Sequence, residues 1–183
     1  MDVGSSTGGF TDCMLQNGAA RVYAVDVGHD QLHPTLREDP RVVVLEGTDI
    51  RSEALSAAVA AASVNFCSVD VSFVSLSNVL PAILPYLAQE ATLVCLIKPQ
   101  FEAGREQVGK KGIVRDRNVH KEVIVNVIGY AADNGLYAHG LTFSPVTGAK
   151  GNIEYLLYLK KEPAEQEINI DEVVYSSHEE LEQ

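Results

Sequence analysis

Short apolar segments alternate with helical patterns along most of this chain, and the alternation constrains the fold more than any other feature. Four apolar segments are bounded by polar or turn residues: VYAVD (22–26), VVVLE (42–46), VNFCSVD (64–70) and ATLVCLIKP (91–99). Strands that are apolar along their whole length are typical of parallel sheets with both faces buried. Their alternation with helices predicts an α/β fold with a doubly wound, mostly parallel sheet.

Helices are predicted at residues 7–17, 51–62, 73–88 and 118–134. The first ends at Gly18 and the last at Asn134-Gly135, which are typical stop signals. The third contains Pro81 and Pro85, so we expect it to be kinked or broken, because proline removes a backbone donor and clashes with the preceding turn.

The end of the chain has a different pattern. LYAHGLTFS (136–144) and NIEYLLYLKK (152–161) both resemble strands and have only a loop between them. Two strands without a crossover helix must pair antiparallel or lie apart. Residues 162–183 carry eight acidic residues and no Lys or Arg, which predicts a solvated, disordered tail. Within this tail only VVY (173–175) has the composition to pack.

Length and composition limit the class of protein. A chain of 183 residues, 46% of them hydrophobic, fits one globular domain and argues against disorder. No run approaches the roughly 18 apolar residues of a membrane span, and the N-terminus lacks the regions of a signal peptide. Cys13, Cys67 and Cys95 lie far apart among apolar residues, which favours buried, reduced thiols. We therefore expect a cytoplasmic protein without a membrane span.

The net charge of -11 argues against a nucleic-acid partner, because phosphate binding needs local positive charge. The charge is unevenly distributed, however. The acidic tail accounts for eight negative charges, and the rest of the chain carries only -3. Between Lys98 and Lys121 there are seven basic and three acidic residues, a net charge of +4. This distribution permits one side of the protein to face RNA.

A glycine-rich loop, DVGSSTGGF, occupies residues 2–10. Glycines let the backbone approach a ligand closely, and the start of the following helix offers free N–H groups. The spacing matches neither G-x-G-x-x-G nor a P-loop. The acid before the first glycine disfavours a pyrophosphate and suits the amino group of an amino-acid-like ligand. The alternative is an ordinary glycine-rich turn.

Only Met1, Asp2 and Val3 precede this loop, so the strand that would present it is largely missing. In an open α/β sheet, loops that bind nucleotides follow strands. We expect either that the chain is a fragment or start-site variant, or that the sheet is built differently at this position.

Two acids follow predicted strands. Asp26 ends VYAVD, where a carboxylate can accept hydrogen bonds from both ribose hydroxyls of an adenosine. The alternative is a helix cap. Asp49, in the segment GTDIR, suits an adenine amino group, and a helix N-cap is an equal alternative.

Charged residues also mark three later positions. Asp70 and Lys98 stand at the ends of apolar strands, and such ends line one crevice in an open α/β sheet. A Lys after LVCLI must be paired or reach solvent, so a Lys–Asp pair is expected in a catalytic site or in a structural ion pair. Glu154 begins the last strand, where most glutamates face water. The five histidines show no metal-ligand spacing, and no metal is predicted.

With the loop, Asp26, Asp70, Lys98 and Glu154 in this order, the chain resembles the catalytic domain of the TlyA-type "hemolysin" family, within the FtsJ-like ribose 2'-O-methyltransferases. The matching stretches are DVGSSTGGFTDCMLQNGAARVYAVDVGHDQL, VDVSFVSL, LIKPQFEAGREQVGKKGIVRD and SPVTGAKGNIEYLLYL. The resemblance implies a Rossmann-like methyltransferase domain at residues 1–161 with an antiparallel last strand, followed by the acidic tail at 162–183. It also implies S-adenosylmethionine as cofactor and ribosomal RNA, or a ribosomal subunit, as partner.

The resemblance also implies which residues form the sites. Asp70, Lys98 and Glu154 match the last three members of the family's catalytic Lys-Asp-Lys-Glu set, whose first Lys lies upstream of the loop and has no counterpart here. The small N-terminal RNA-binding domain of the family also has no counterpart. The residues expected to bind the cofactor are Asp2, Gly4, Ser5, Ser6, Thr7, Gly8, Gly9, Phe10, Asp26, Val27, Asp49 and Asp70.

The segment 102–117, EAGREQVGKKGIVRDR, is rich in glycine and basic residues. We expect a mobile loop that contacts RNA phosphates, and the alternative is a solvated surface loop. The residues expected to contact RNA are Arg105, Lys110, Lys111, Arg115 and Arg117.

Three other classes of function compete with this interpretation. The first is a non-enzymatic relative that binds S-adenosylmethionine poorly or not at all, or acts through a partner. The incomplete strand and the missing Lys favour it. The second is a membrane-lytic protein, for which the sequence offers no span, no basic amphipathic helix and no secretion signal. The third is an NAD-dependent oxidoreductase, which the glycine spacing disfavours.

Overall fold

The computed structural model describes residues 1–181, in which seven strands and seven α-helices are found. The strands are β1 (Asp2–Val3), β2 (Val22–Val25), β3 (Val42–Leu45), β4 (Val64–Val69), β5 (Leu87–Ile97), β6 (Tyr137–Phe143) and β7 (Tyr155–Lys160). The helices are α1 (Gly9–Gln16), α2 (Pro34–Arg37), α3 (Glu53–Ala58), α4 (Leu76–Ile83), α5 (Pro99–Glu102), α6 (Arg117–Asp133) and α7 (Ile170–Leu181).

The chain divides into two compact units. Unit 1 comprises Met1–Val71 and Ala82–Ala91, and unit 2 comprises Ser72–Pro81 and the chain from Thr92 onward. The strands follow the order β3-β2-β1-β4-β5-β7-β6, with β5 beginning in unit 1 and continuing into unit 2. The predicted α/β fold with a mostly parallel sheet is confirmed.

Unit 1 is built on parallel strands, with the two residues of β1 at their centre. Asp2 pairs with Ala24 on one side and with Ser68 on the other, and Val3 continues both ladders. The next strand outward, β3, is also parallel to β2. Apolar side chains of these strands, among them Val3, are buried, which matches strands that are apolar along their length. The strand expected to be largely missing is therefore present as a two-residue strand that pairs on both sides.

Unit 2 contains the antiparallel part of the sheet. Strand β7 pairs antiparallel with β5 from Thr92↔Lys160 to Ile97↔Tyr155, and antiparallel with β6 on its other side. The β6–β7 ladder has a bulge between Ala138 and Gly140. The prediction that the last two strands pair antiparallel is confirmed.

Some predicted elements differ in length. The helix predicted at 73–88 is the shorter α4, which contains Pro81 and is followed by a 3-10 turn at Leu84–Tyr86. Strand β5 starts four residues earlier than the apolar pattern indicated and ends just before Lys98. Cys67 and Cys95 are buried as expected, whereas Cys13 is exposed on α1.

The prediction of a disordered acidic tail is wrong for residues 170–181, which form α7. Val174 is 0% exposed, and Ser177 and His178 are also buried. Ser177 and His178 lie three and four residues after Val174, the spacings that align side chains on one face of a helix. The acidic residues lie on the other faces of α7, so a charged composition conceals one packed face. Residues 182 and 183 of the predicted tail lie outside the described residues.

A buried polar network joins α6, β7 and α7. His120 Nε2 lies 2.8 Å from the carbonyl oxygen of Val114, so this nitrogen carries the proton and donates. The Nδ1 atom of His120 lies 2.7 Å from the Tyr155 hydroxyl and 3.3 Å from His178 Nε2. The Tyr155 oxygen lies 3.0 Å from Ser177 Oγ. His120 and His178 are thus hydrogen-bonded residues of the packed interior.

Tyr155→Phe is expected to destabilise the protein by about 1–3 kcal/mol, because it removes the buried hydroxyl that contacts both His120 Nδ1 and Ser177 Oγ. The free energy of unfolding measured by urea denaturation tests this. Tyr175→Phe, at an exposed position on α7, is the matched control and should change stability by less than about 0.5 kcal/mol. Equal effects of the two substitutions would contradict a structural role for the network.

Candidate functional site

The glycine loop in unit 1 is tied to the ends of two strands. Gly4 and Ser5 both donate their backbone N–H to the carbonyl oxygen of Val25, at 2.8 and 3.1 Å. Gly4 has a φ of +82°, and a Cβ at this position would overlap the carbonyl oxygen of Asp70. Only glycine satisfies both the left-handed backbone and the close approach to the chain after β4.

Helix α1 begins directly after the loop. Gly8 is its N-cap with a φ of +101°, and no side chain caps the helix. A Cβ at Gly8 would overlap the side chain of Leu36, so the loop also packs against α2. The first N–H groups of an α-helix have no partner within the helix, so the start of α1 presents backbone donors to a polar ligand.

Asp2 lies within the core of unit 1. Its carboxylate accepts hydrogen bonds from Thr11 Oγ1 at 2.7 Å and Ser68 Oγ at 3.0 Å, and its exposure is nil. Burial raises the pKa of Asp2, because the charged form loses its hydration. The carboxylate therefore supports the loop from the interior, and direct contact between Asp2 and a ligand stays a prediction.

Asp26 connects the loop to the segment after β2. Its Oδ2 accepts the backbone N–H of Ser6 at 2.8 Å, and its Oδ1 accepts that of Gly28 at 2.7 Å. Asp26 caps no helix, so the alternative of a helix cap is wrong. Each carboxylate oxygen retains a second lone pair for another donor. The neighbouring Val27 is 72% exposed and offers an apolar surface beside these oxygens.

Glu46, for which the sequence predicted no role, organises the segment that follows Asp26. Its carboxylate accepts backbone N–H groups of Asp30 at 2.7 Å and Leu32 at 2.9 Å. The Arg37 guanidinium donates to it at 2.8 Å. Mainly because of Arg37, and also because of the backbone donors, the pKa of Glu46 falls to about 2. The only signal in the sequence is an acid that ends the apolar run VVVLE.

Asp49 lies between β3 and α3, where it binds Arg51. The two side chains form two hydrogen bonds of 2.8 and 2.9 Å, which lower the pKa of Asp49 to about 2. The N-cap of α3 is Ser52, so the alternative of a helix cap at Asp49 is wrong. A contact of Asp49 with an adenine stays a prediction.

Lys98 and Glu154 both belong to unit 2. Lys98 directly follows β5, and its Nζ donates to Ser72 Oγ at 3.2 Å. Glu154 directly precedes β7 and is only 8% exposed, so the alternative that it faces water is wrong. Gln100 Nε2 donates to Glu154 Oε1 at 2.9 Å. Lys98 and Gln100, the residue that binds Glu154, are therefore two positions apart at the start of α5.

Residues 72–76 and 98–102 of unit 2, which are distant in sequence, lie side by side. Glu102 accepts the backbone N–H of Leu76 and the hydroxyl of Ser75, each at 2.7 Å, and thereby binds the first turn of α4. Burial raises the pKa of Glu102. The rings of Phe73 and Phe101 lie 4.7 Å apart. The Lys98–Ser72 bond adds a further link between the two segments.

Phe73 is a second residue for which the sequence predicted no role. Its side chain is 89% exposed and its φ is +63°, an uncommon conformation for a bulky residue. Large exposed aromatics with strained backbones are typical of binding surfaces. The available signal was an aromatic residue inside VDVSFVSL, directly after the Asp70 segment.

Of the five basic residues in the segment 102–117, four are exposed and the fifth forms an ion pair. Arg105, Lys110, Lys111 and Arg115 are exposed. Arg117 begins α6 and binds Glu179 of α7 at 2.9 Å. The segment is held at one end by Asn152, which is buried and bonds to the backbone of Gly112 and Val114. The expected contact of these basic residues with RNA phosphates stays a prediction.

Within residues 1–181, no group of three or more His, Cys, Asp or Glu residues is arranged to hold a metal ion. None of the helices in the described part of the chain is both long and apolar enough to cross a membrane.

The parallel strands, the glycine loop after β1, the acid after β2 and the antiparallel last pair of strands agree with the α/β methyltransferase domain that the resemblance implies. Residues 1–161 match the family model described as FtsJ-like methyltransferase. The chain belongs to this family.

Two curated proteins illustrate the relationship. The chain is 54% identical over 159 residues to "Putative rRNA methyltransferase YqxC" of Bacillus subtilis, covering 87% of this chain and 56% of that protein. It is 44% identical over 160 residues to "16S/23S rRNA (cytidine-2'-O)-methyltransferase TlyA" of Mycobacterium tuberculosis, covering 87% of this chain and 59% of that protein. The chain thus spans less than two thirds of the length of both.

Solved structures agree with the fold. A "Putative hemolysin from Streptococcus thermophilus" superposes with a TM-score of 0.92 at 47% identity, covering 99% of this chain and 66% of that chain. A "putative S-adenosylmethionine dependent methyltransferase from Listeria monocytogenes" superposes with a TM-score of 0.61 at 16% identity, covering 88% of this chain and 89% of that chain. The latter shares the fold.

The low pKa of Glu46 predicts a pH dependence of stability. Because its folded-state value of about 2 lies below the ordinary 4.5, ionised Glu46 stabilises the fold above pH 4.5. That contribution is lost as the pH falls from 4.5 toward 2. The difference in the free energy of unfolding between the wild type and Glu46→Gln should therefore shrink across this range. Urea denaturation at several pH values measures it.

Glu90→Gln, at an exposed position of β5, is the control for this experiment. The difference between the wild type and Glu90→Gln should vary much less with pH. A Glu46→Gln difference that stays constant down to pH 3 would contradict the role given to Arg37 and the backbone donors.

Proposed function

We propose that this chain is an S-adenosylmethionine-dependent methyltransferase that modifies the ribose 2'-hydroxyl of ribosomal RNA. The observation that carries the proposal is the geometry of the glycine-rich loop. Gly4 packs directly on the Asp70 carbonyl, and the Asp26 carboxylate accepts the backbone N–H of Ser6 in the same loop. The printed name of the Mycobacterium tuberculosis relative, a cytidine-2'-O-methyltransferase of rRNA, supports the choice of substrate.

The residues of unit 1 fit S-adenosylmethionine. The remaining lone pairs of Asp26 would accept the ribose hydroxyls, and the exposed Val27 would contact the adenine. The backbone donors at the start of α1 would face the polar methionine end. Ser5 Oγ is buried without a hydrogen-bond partner among the described residues, which is typical of a loop that awaits a ligand.

The bound cofactor supplies a methyl group on a sulfonium, and the protein must align the acceptor and handle its proton. A ribose hydroxyl is a poor nucleophile at neutral pH. We assign this task to Lys98. Its ammonium would orient the hydroxyl oxygen and stabilise the negative charge that develops on it, and as a neutral amine the same Nζ would accept the hydroxyl proton.

Glu154 would orient the Lys98 ammonium, and the family resemblance assigns Asp70 to the same catalytic set. A carboxylate beside an ammonium lowers the freedom of its flexible stem and balances its charge. Glu154 suits this task because its side chain is buried and hydrogen-bonded rather than free in solvent. Lys98 itself is held at Ser72, the residue before the exposed Phe73.

RNA would contact unit 2 through charge and stacking. Arg105, Lys110, Lys111 and Arg115 are exposed and would neutralise phosphates. Phe73, 89% exposed beside the residue that binds Lys98, would stack on a nucleobase near the reacting ribose. Arg117 contributes less in this proposal, because Glu179 already binds its guanidinium.

Lys98→Ala is expected to lower kcat for methyl transfer by about 10²- to 10⁴-fold, since it removes the group that handles the hydroxyl proton. Affinity for S-adenosylmethionine should be unchanged. Transfer of a labelled methyl group to rRNA measures the first quantity, and calorimetry with the cofactor measures the second.

Gly4→Ala is the complementary variant and should abolish cofactor binding, because its Cβ would overlap the Asp70 carbonyl. Near-normal activity of Lys98→Ala would overturn its assignment. A wild-type chain that shows no heat with S-adenosylmethionine would overturn the proposed function and favour the non-enzymatic alternative.

The double variant Lys110→Gln with Lys111→Gln is expected to weaken RNA binding. It should reduce the slope of log Kobs against log salt by about 0.7 to 0.9 for each phosphate that the variant no longer neutralises. Filter binding at several salt concentrations measures the slope. Lys160→Gln with Lys161→Gln, at the end of β7 beyond the basic segment, is the control with the same charge change. An equal slope for both double variants would contradict the assignment.

A further inference from the structure

The carboxylate of Glu154 is enclosed by two residues outside the expected catalytic set. On one side, Gln100 Nε2 donates to Glu154 Oε1 at 2.9 Å. On the other side, Gly148 lies so close that a Cβ there would overlap the carboxylate. All three residues belong to unit 2, and Glu154 is 8% exposed.

The Gln100 amide donates to Glu154 through its nitrogen, whereas its oxygen makes no hydrogen bond to the described residues. Its Oε1 is buried and has no hydrogen-bond partner within residues 1–181. The amide cannot be reversed to satisfy that oxygen, because two acceptor oxygens would then face each other across the Glu154 contact. The hydrogen bond to Glu154 therefore sets which way the Gln100 amide faces.

Gly148 is required for its size and not for its backbone conformation. Its φ is −73° and its ψ is −168°, which any residue adopts. Its backbone is also bonded, since Gly148 N donates to Asn152 O at 2.8 Å and Gly151 N donates to Gly148 O at 3.0 Å. The loop is therefore held in place, and an added methyl group would displace the end of the flexible Glu154 side chain.

Gln100 links the Glu154 carboxylate to the helix that follows Lys98. Gln100 lies on α5, whose N-cap is Lys98. One short helix thus carries both the proposed catalytic lysine and the amide that sets the place of Glu154, although Gln100 and Glu154 are 54 residues apart in sequence. The hydrogen bond from the Gln100 side-chain amide fixes the Glu154 carboxylate relative to the backbone of Lys98.

We infer that Gln100 and Gly148 are positioning residues, which hold the Glu154 carboxylate in the orientation that methyl transfer requires. The inference rests on the proposed function. Gln100 acts by hydrogen bonding and Gly148 by leaving space, and neither needs to touch the substrate or the cofactor. Misplacing a catalytic group by about 1 Å costs up to about 10²-fold in rate.

Gln100→Met, of similar size but without the amide, and Gly148→Ala should each lower kcat by about 10- to 100-fold. KM for RNA and affinity for S-adenosylmethionine should change less than about twofold. The matched controls are Gln16→Met, an exposed amide that donates to Asp12, and Gly129→Ala, where a Cβ meets nothing within 4 Å. Both controls should retain wild-type kcat. Thermal unfolding verifies that every variant is folded.

A double-mutant cycle separates positioning from a purely structural role. In a Glu154→Gln background, Gln100→Met and Gly148→Ala should produce little further loss of kcat, because both act through the missing carboxylate. Losses that multiply in that background would overturn the inference while leaving the proposed function intact. A wild-type chain that transfers no methyl group to rRNA would overturn both.

Discussion

The backbone pairing of β1 with two neighbours is the constraint on which unit 1 depends. Asp2 and Val3 each pair with one residue of β2 and one of β4, so two residues bring together the ends of three strands. The loop that follows can then bond to the Val25 carbonyl and approach the Asp70 carbonyl at Gly4. The buried Asp2 secures this arrangement from the interior through its two hydroxyl donors, so hydrogen bonding and steric fit act on the same few residues.

Gly4 and Gly148 must both be glycine, but for different physical reasons. Gly4 combines a φ of +82° with a close backbone neighbour, so both its conformational freedom and its lack of a side chain are used. Gly148 has an ordinary backbone and is used only for the space it leaves beside Glu154. A side chain at Gly4 would overlap backbone atoms of Asp70, whereas a side chain at Gly148 would displace only the carboxylate of Glu154. Substitution at Gly148 is therefore the more selective test of the position of one side chain.

Ion pairs in unit 2 join the acidic helix α7 to the basic residues of α6. The pairs are Arg117–Glu179 at 2.9 Å and Lys121–Asp171 at 2.7 Å. The basic residues of α6 therefore differ in role from the exposed ones of the preceding segment. Exposed ion pairs contribute little stability, so α7 is held chiefly by Val174 and by its polar contacts with His120 and Tyr155.

Much of the fold was predictable from the sequence because its signals are local. Apolar runs, glycines and helix stop signals act within a few residues, and they identified the parallel strands, the antiparallel end and the glycine-rich loop. The tertiary structure decided what depends on distant partners: α7 is ordered through His120, 58 residues before His178, and Glu154 is buried through Gln100, 54 residues away. Such contacts leave no periodic pattern, since each partner alone is an ordinary polar residue. Composition therefore indicated disorder for α7 and solvent exposure for Glu154, where packing produces order and burial.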